Sequence, residues 1–193
     1  MHFFRLDVKK AIQAIGVLFR ADGVKRMNYM RLLKLLYVAD RESLAETGRP
    51  ITGGPVLAMP RGPVLEHVFA LIRGQHLEMP MWDTFLRKER YDLEIVNDPD
   101  VGALSKYEIR KLQEIAEKHA NDDEWEMVRL THQLPEWIKN NPGASSKPIP
   151  LTDILEALGK GDEAAEIMEE ADQLSRVRNL LAIDQRASYR SGK

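Results

Sequence analysis

The chain has 193 residues, of which 44% are hydrophobic and 30% charged, and this composition is typical of a globular domain with a sizeable core. Its net charge of −2 argues against a surface built to bind nucleic-acid phosphates, and the absence of cysteine excludes disulfides, thiolate metal sites and cysteine nucleophiles. It shows neither a signal-peptide core nor an apolar run of about 20 residues. We therefore expect a cytoplasmic protein that does not enter a membrane.

Capping residues delimit the first two predicted helices. The first runs from an N-cap at Asp7 to Asp22, and the second from an Asn28 cap to about Thr47; a glycine follows each. Residues 32–42, LLKLLYVADRE, are apolar nearly all round the helix. A helix without a polar face is buried, so we place the second helix at the centre of a bundle.

A region rich in glycine and proline follows, at residues 48–64. It predicts a loop with a short strand at 56–59, after which Pro63 opens a third helix, because proline at the first helical position loses no hydrogen bond. Apolar and charged residues then alternate at 91–95, which indicates a half-exposed strand. We expect its hairpin partner at 84–86, in a small antiparallel sheet that residues 56–59 could join.

The second half of the chain is predicted to be mainly helical. Ser105 and Glu108 form a capping box, and a further helix runs from about Asp122 to residue 137, ended or kinked by Pro135. Residues 140–150 are a linker candidate. A short helix and a long helix follow, and the long one carries a narrow seam formed by Ala164, Ile167, Ala171, Leu174, Arg178 and Leu181.

These patterns predict a mainly α, essentially all-α helical bundle with a small antiparallel β element, a minor α+β character. We divide it into a helical domain with a small hairpin at residues 1–140 and a helical extension at 141–193 that docks on the same domain.

No catalytic or metal-binding motif stands out. The five histidines include no pair at metal-ligand spacing on one helix, and neither a phosphate-binding glycine loop nor a nucleophile elbow occurs. We expect no metal and no cofactor.

Asp40 is the unusual residue of the central helix, because it lies at helical spacing with Leu33, Tyr37 and Leu44. A carboxylate on an apolar face must be neutralised or hydrogen-bonded. One interpretation makes Asp40 a general base. The other makes it a clamp that accepts backbone N–H groups of the 50–63 loop or pairs with Arg61, and we favour this clamp.

His132 and Trp137 can also be interpreted either as structural or as functional residues. Trp125 and Val128 share a helical face with His132, and this spacing predicts a histidine in the core. Trp137 follows Pro135 and is interpreted as a packing anchor, although tryptophan is also common at the centre of interfaces.

Four blocks in this order resemble the Panacea domain family of SocA-like antitoxins, often phage-associated: KLLYVADRE (34–42), GRPITG (48–53), AMPRGPV (58–64) and LTHQLPEW (130–137). The resemblance covers residues of about 27–140. The residues that match the family pattern are Lys34, Tyr37, Asp40, Gly53, Met59, Gly62, Pro63, Val64, His132 and Trp137.

The resemblance implies a mainly helical domain with a small β element and without enzymatic activity. It further implies a toxin–antitoxin system, in which the chain binds and neutralises a cognate toxin encoded beside it. The toxins of such domains are diverse and include translation-inhibiting enzymes that resemble alarmone synthetases. One type of relative is an adaptor that delivers its toxin to an AAA+ protease.

Three functional hypotheses follow. The first is a toxin-neutralising binding protein, whose partner surface we expect around the 49–63 loop with Arg49, Arg61 and His67, and with the long C-terminal helix as a second candidate. The second is a hydrolase that uses Asp40 and His132, which requires both side chains in one water-filled pocket. The third is a winged-helix DNA-binding regulator, which requires a basic recognition helix near residues 64–73.

Overall fold

The computed structural model describes the backbone of residues 2–191 and the side chains of residues 2–177. Within that part of the chain, nine helices and six strands follow one another. The helices are α1 (Val8–Ala21), α2 (Tyr29–Thr47), α3 (Glu66–Ile72), α4 (Met79–Phe85), α5 (Lys106–Lys118), α6 (Glu124–Thr131), α7 (Pro135–Lys139), α8 (Leu151–Ala157) and α9 (Ala164–Ser191). The strands are β1 (Arg26–Asn28), β2 (Val56–Met59), β3 (Gly62–Leu65), β4 (Leu86–Glu89), β5 (Asp92–Ile95) and β6 (Lys147–Ile149).

Helix α2 lies at the centre of this arrangement, as its apolar sequence predicts. Leu32, Leu35 and Leu36 have no exposed surface, and the helix contacts α1, α3, α5, α6, β1 and β3. The predicted caps are confirmed as well: the Asp7 side chain caps α1 and the Asn28 side chain caps α2. The local signals for the first two helices were therefore sufficient to place them.

The strands form two separate antiparallel sheets, ordered β1-β5-β4 and β3-β2-β6. The description all-α is therefore wrong, although helices predominate and the mainly α prediction holds in this coarser sense. The strand at 56–59 is confirmed, but it does not join the hairpin sheet, because it pairs with β3 and β6 instead.

Pro63 does not open the third helix. It lies in β3, opposite Ala58 of β2, and α3 begins three residues later at Glu66. Because β3 is an edge strand, proline is tolerated there without breaking a ladder of hydrogen bonds. The two-residue turn before it, Pro60 and Arg61, makes this segment a tight hairpin.

The second hairpin is also displaced from its predicted position. Thr84 and Phe85 end helix α4, and the strand that pairs with β5 is β4, so the turn falls at Arg90 and Tyr91. Arg90 has a φ of 55°, a left-handed conformation that a tight turn requires.

The C-terminal part differs from the prediction at two points. Helix α6 ends at Thr131, and Pro135 occupies the first turn of the separate helix α7. The supposed linker contains β6, whose Ile149 pairs with Val56 of β2. This pairing crosses the predicted domain boundary at residue 140, and the two-part division stays a prediction.

Helix α9 buries only part of the predicted seam against the rest of the molecule. Ile167 and Ala171 are buried, whereas Leu174 is 40% exposed. The side chains of Arg178 and Leu181 lie outside the described residues. Among the described helices, none combines the length and the apolar character that a membrane crossing requires.

Candidate functional site

Three polar side chains of α2, spaced by three residues, are buried in the interior. Lys34 is 1% exposed, Tyr37 2% and Asp40 5%. Burial of polar groups costs free energy unless each finds a partner. Each of the three contacts a different segment of the chain, so α2 is the common attachment point of those segments.

Asp40 holds the loop that follows α2. Its Oδ1 accepts the N–H groups of Ile51 (3.1 Å) and Thr52 (2.9 Å), and its Oδ2 accepts the Gly53 N–H (3.0 Å) and the Thr52 hydroxyl (2.8 Å). Burial raises the pKa of Asp40 to about 6, against the opposing effect of these hydrogen bonds. Asp40 is therefore a backbone clamp and does not pair with Arg61.

The clamped loop in turn receives the N-terminal segment. Gly54 donates its N–H to the carbonyl of Phe4 (2.6 Å), and Asp7 donates its N–H to the carbonyl of Thr52 (3.0 Å). Gly53 has a φ of 77°, and a Cβ there would lie 2.9 Å from the Arg5 carbonyl oxygen. Only glycine allows this close approach. No sequence pattern predicts this contact, because residues 2–6 precede the first predicted helix.

Two cavities border this loop. The smaller, of about 40 Å³, is lined mainly by apolar side chains such as Phe4 and Ile154, together with Asp40. The larger, of about 520 Å³, is lined by loop residues such as Pro50 and Thr52 together with Lys10, Arg49 and other residues. The hydrolase hypothesis requires Asp40 and His132 in one cavity, and neither of these two contains His132.

Tyr37 contacts Glu136 of α7, a residue that the sequence analysis did not single out. The Tyr37 hydroxyl donates to Glu136 Oε1 (2.8 Å), and Arg41 donates from Nε to the same oxygen (2.7 Å) and from Nη2 to Oε2 (3.3 Å). Glu136 has no exposed surface. Burial and the neighbouring Glu136 carboxylate raise the pKa of Tyr37. This buried pair attaches α7 to α2.

Lys34 contacts the β2–β3 hairpin. Its Nζ donates to the carbonyl of Pro63 (2.7 Å), and burial lowers the pKa of Lys34 to about 7. Gly62 has a φ of 94°, and a Cβ there would lie 3.0 Å from Lys34 Nζ and 2.6 Å from Thr131 Oγ1. Glycine at this position thus lets the lysine and α6 approach the hairpin.

His132 and Trp137 support the same hairpin from the other side. Their rings stack with centroids 4.0 Å apart and an interplanar angle of 8°. Trp137 Nε1 donates to the carbonyl of Met59 (3.1 Å), and the His132 ring lies near the backbone of Pro60. Burial is the largest cause that lowers the pKa of His132. Both side chains therefore contact a turn of the hairpin rather than an open pocket.

The comparison with protein families bears directly on these contacts. A family model described as antitoxin SocA-like, Panacea domain, matches residues 32–138, which is more than half of the chain. The chain belongs to this SocA-like antitoxin family. The resemblance drawn from the four sequence blocks is thereby confirmed. No curated protein and no solved structure matches the chain.

The matched Panacea segment contains the contacts that Lys34, Tyr37 and Asp40 make from α2. It begins just before Lys34 and ends just after Trp137, so it includes the Asp40 clamp, the β2–β3 hairpin and the Glu136 pair. Helix α1, the N-terminal segment and helices α8 and α9 lie outside it.

The three residues expected at the partner surface of the Panacea domain are not grouped together. Arg49 contacts Glu170 of α9, Arg61 lies over the ring of Trp125, and the His67 ring is 5.4 Å from that of His76. Burial, followed by the nearby His76, lowers the pKa of His67. Among the described contacts, none joins two of the three predicted residues.

The winged-helix hypothesis gains no support from its candidate recognition helix in the Panacea domain. The candidate recognition helix is α3, whose seven residues include neither lysine nor arginine, with Arg73 only at its C-cap. The winged-helix hypothesis therefore lacks a basic recognition helix at the position where it requires one. In the part of the chain whose side chains are described, no three metal-ligating His, Asp or Glu residues converge.

Proposed function

We propose that this chain is a non-catalytic antitoxin that neutralises a cognate toxin by direct protein–protein contact. Membership of the SocA-like antitoxin family supports the general role. The single observation that carries the non-catalytic part is the Asp40 clamp, because both carboxylate oxygens are occupied by donors from residues 51–53. A general base needs a lone pair directed at a substrate proton, and Asp40 has none to offer.

The clamped loop supports a role in recognition. Residues 51–53 are fixed by Asp40 on one side and by the N-terminal segment on the other. A loop that is already ordered loses less entropy when a partner docks. Arg49, whose side chain is 62% exposed, lies beside this loop and lines the larger cavity. Because Ile51 and Thr52 are themselves only 2% exposed, we assign Arg49, which the clamped loop holds at the surface, to one part of the toxin contact.

Co-expression with the adjacent gene tests the proposal. We expect the neighbour alone to arrest growth and the pair to grow normally, with the two proteins purifying as a complex. Arg49→Glu should weaken neutralisation, whereas Arg110→Glu is the matched control, because Arg110 is equally exposed but lies on α5. A neighbour that is harmless alone, or a toxic one that stays toxic in the presence of this chain, would contradict the proposal.

The lifetime of the toxin separates two mechanisms of neutralisation. Capture in a complex, which we propose, predicts that the toxin accumulates when this chain is present. Delivery to an AAA+ protease, the adaptor role of one type of relative, predicts that the toxin half-life falls when this chain is present and recovers in a strain without the protease. A pulse-chase measurement in the cytoplasm, where we place both proteins, distinguishes them.

A further inference from the structure

The turn of the β2–β3 hairpin is held by side chains of the Panacea motif. Trp137 donates to the carbonyl of Met59 and Lys34 to that of Pro63, while the His132 ring stacks on Trp137 beside the turn. Arg61 is the turn residue that projects outward, and it is exposed. The motif therefore presents one arginine on a rigid backbone.

Arg61 is stacked on a tryptophan that the sequence analysis had placed on a core-facing side of its helix. Its guanidinium carbon lies 5.2 Å from the ring centroid of Trp125, and Trp125 is 47% exposed. Among the described residues, no hydrogen bond or ion pair uses the guanidinium of Arg61. Stacking orients the group but leaves its N–H edge available for a planar acceptor such as a carboxylate.

A second arginine extends the positive charge along α6. Arg129 lies four residues after Trp125, hence on the same side of the helix, and its side chain is 66% exposed. Its nearest carboxylate is Glu126 at 3.8 Å, and Glu126 also accepts the N–H of Asp123 (2.8 Å) in a capping box. The site is thus an exposed indole with Arg61 over its ring and Arg129 one turn further along the same side of α6.

We propose that Arg61, Trp125 and Arg129, the Arg–Trp patch, bind an acidic segment of the partner protein. One carboxylate pairs with the Arg61 guanidinium, an adjacent apolar side chain covers the Trp125 ring, and Arg129 attracts a second carboxylate. Tryptophan and arginine are the residues most enriched among those that dominate binding energy at protein interfaces. The inference deepens the proposed function, on which it rests, because it assigns an acidic surface to the toxin.

The charges around the Arg–Trp patch favour a peptide carboxylate over a nucleic-acid backbone. Glu124 and Glu126 stand on the same short helix as Trp125, and the whole chain carries a net charge of −2. A strand of phosphates would approach these two glutamates as well as the arginines, whereas separate peptide carboxylates can pair with Arg61 and Arg129 individually. Tighter binding of a nucleic acid than of the peptide would therefore contradict the proposal.

Nuclear magnetic resonance of the tryptophan indoles gives a direct readout. The chain has three tryptophans, and Trp82 and Trp137 are buried, at 2% and 8% exposure, so their indole N–H signals serve as internal references. The probe is a capped octapeptide of glutamate, leucine and glycine, with a matched peptide in which glutamine replaces glutamate. We expect the acidic peptide alone to shift the Trp125 signal saturably and the other two signals to stay in place.

Matched variants test which arginine is responsible. We expect Arg61→Gln to weaken binding of the acidic peptide at least fivefold. Arg110→Gln is the control, because Arg110 also lies over an aromatic ring, that of Tyr107, but has Glu114 as an ion-pair partner. It should leave the affinity unchanged. Each variant's unperturbed Trp82 signal verifies that the fold is intact.

Three results would overturn the Arg–Trp patch: no shift with the acidic peptide, an equal shift with the glutamine peptide, or tighter binding of a thymidine octanucleotide. The neutralisation assay is read separately, with the same Arg61→Gln variant beside the unchanged chain. If the unchanged chain fails to neutralise, the antitoxin proposal falls while the peptide result stands. If the chain neutralises and Arg61→Gln neutralises equally well, the patch is not part of the toxin contact.

Discussion

Lys34 donates from its ammonium group to the carbonyl of Pro63 at 2.7 Å, in a site where the lysine is only 1% exposed. Within the described side chains, no carboxylate lies within 4 Å of this ammonium group. A buried cation without a counter-ion favours deprotonation, and burial lowers the pKa of Lys34 to about 7. The contact that holds the hairpin is therefore also a source of pH-dependent stability.

We expect the free energy of unfolding to rise as the pH increases from 7 to 9. The unfolded chain keeps Lys34 protonated up to its ordinary pKa of 10.5, whereas the folded chain releases the proton from pH 7 upward. Since the unfolded state binds more protons in this window, stability increases with pH, by about 2 kcal/mol. Urea unfolding at pH 7, 8 and 9 measures the slope.

The variants Lys34→Met and Lys111→Met test whether Lys34 is the source of this pH dependence. Lys34→Met should lose most of the slope, because no proton is released at that position. Lys111 is also buried, but Glu46 and Glu114 hold its ammonium group and raise its pKa, so Lys111→Met should keep the slope. If Lys34→Met shows the slope of the unchanged chain, the lysine does not titrate in this range.

Asp40→Ala should destabilise the fold and loosen one loop in particular. The change leaves the N–H groups of Ile51, Thr52 and Gly53 without their acceptor, and we expect a loss of about 3–5 kcal/mol. Amide hydrogen exchange should accelerate at these three positions more than elsewhere. Asp83→Ala, at an exposed carboxylate on α4, is the control and should change stability by less than about 0.5 kcal/mol.

The Asp40 clamp could be predicted from the sequence because the acceptor and its donors lie close together in the chain. An acid in an apolar helix needs donors, and a loop of glycine and proline eleven to thirteen residues later has backbone N–H groups to give. The caps of α1 and α2 are local in the same sense. Contacts between residues that lie close together in the chain could therefore be predicted from the sequence pattern.

The parts that could not be predicted depend on distant partners or on very short elements. Strands β1 and β6 have three residues each, too few to show an alternating pattern. From the sequence, Glu136 would be predicted to be an exposed acid. The fold brings it into contact with Tyr37, which is 99 residues away. Its position beside Trp137 in the LTHQLPEW block was the only sequence feature that pointed to Glu136.

Gly53→Ala should weaken the attachment of the N-terminal segment. A Cβ at this position would lie 2.9 Å from the Arg5 carbonyl, and the φ of 77° disfavours any L side chain. We expect a loss of about 2–4 kcal/mol, of which about 1 kcal/mol is backbone strain. Gly143→Ala isolates that strain, since Gly143 has a φ of 60° with open space around it. Equal losses in the two variants, measured by thermal unfolding, would show that the close approach of Gly53 to the Arg5 carbonyl does not contribute to the loss of stability.

Arg41→Met should cost far more stability than Tyr37→Phe. Removal of the arginine leaves the Glu136 carboxylate buried without its cation, for a loss of about 3–5 kcal/mol. Loss of the Tyr37 hydroxyl removes one hydrogen bond to the same oxygen, worth about 1–2 kcal/mol. The double variant Arg41→Met/Glu136→Leu should recover part of the first loss, because apolar groups replace the buried charge pair while the buried Tyr37 hydroxyl loses its acceptor. Urea unfolding of the four proteins gives the comparison. If the double variant is no more stable than Arg41→Met, then Glu136 has a further partner that holds its charge.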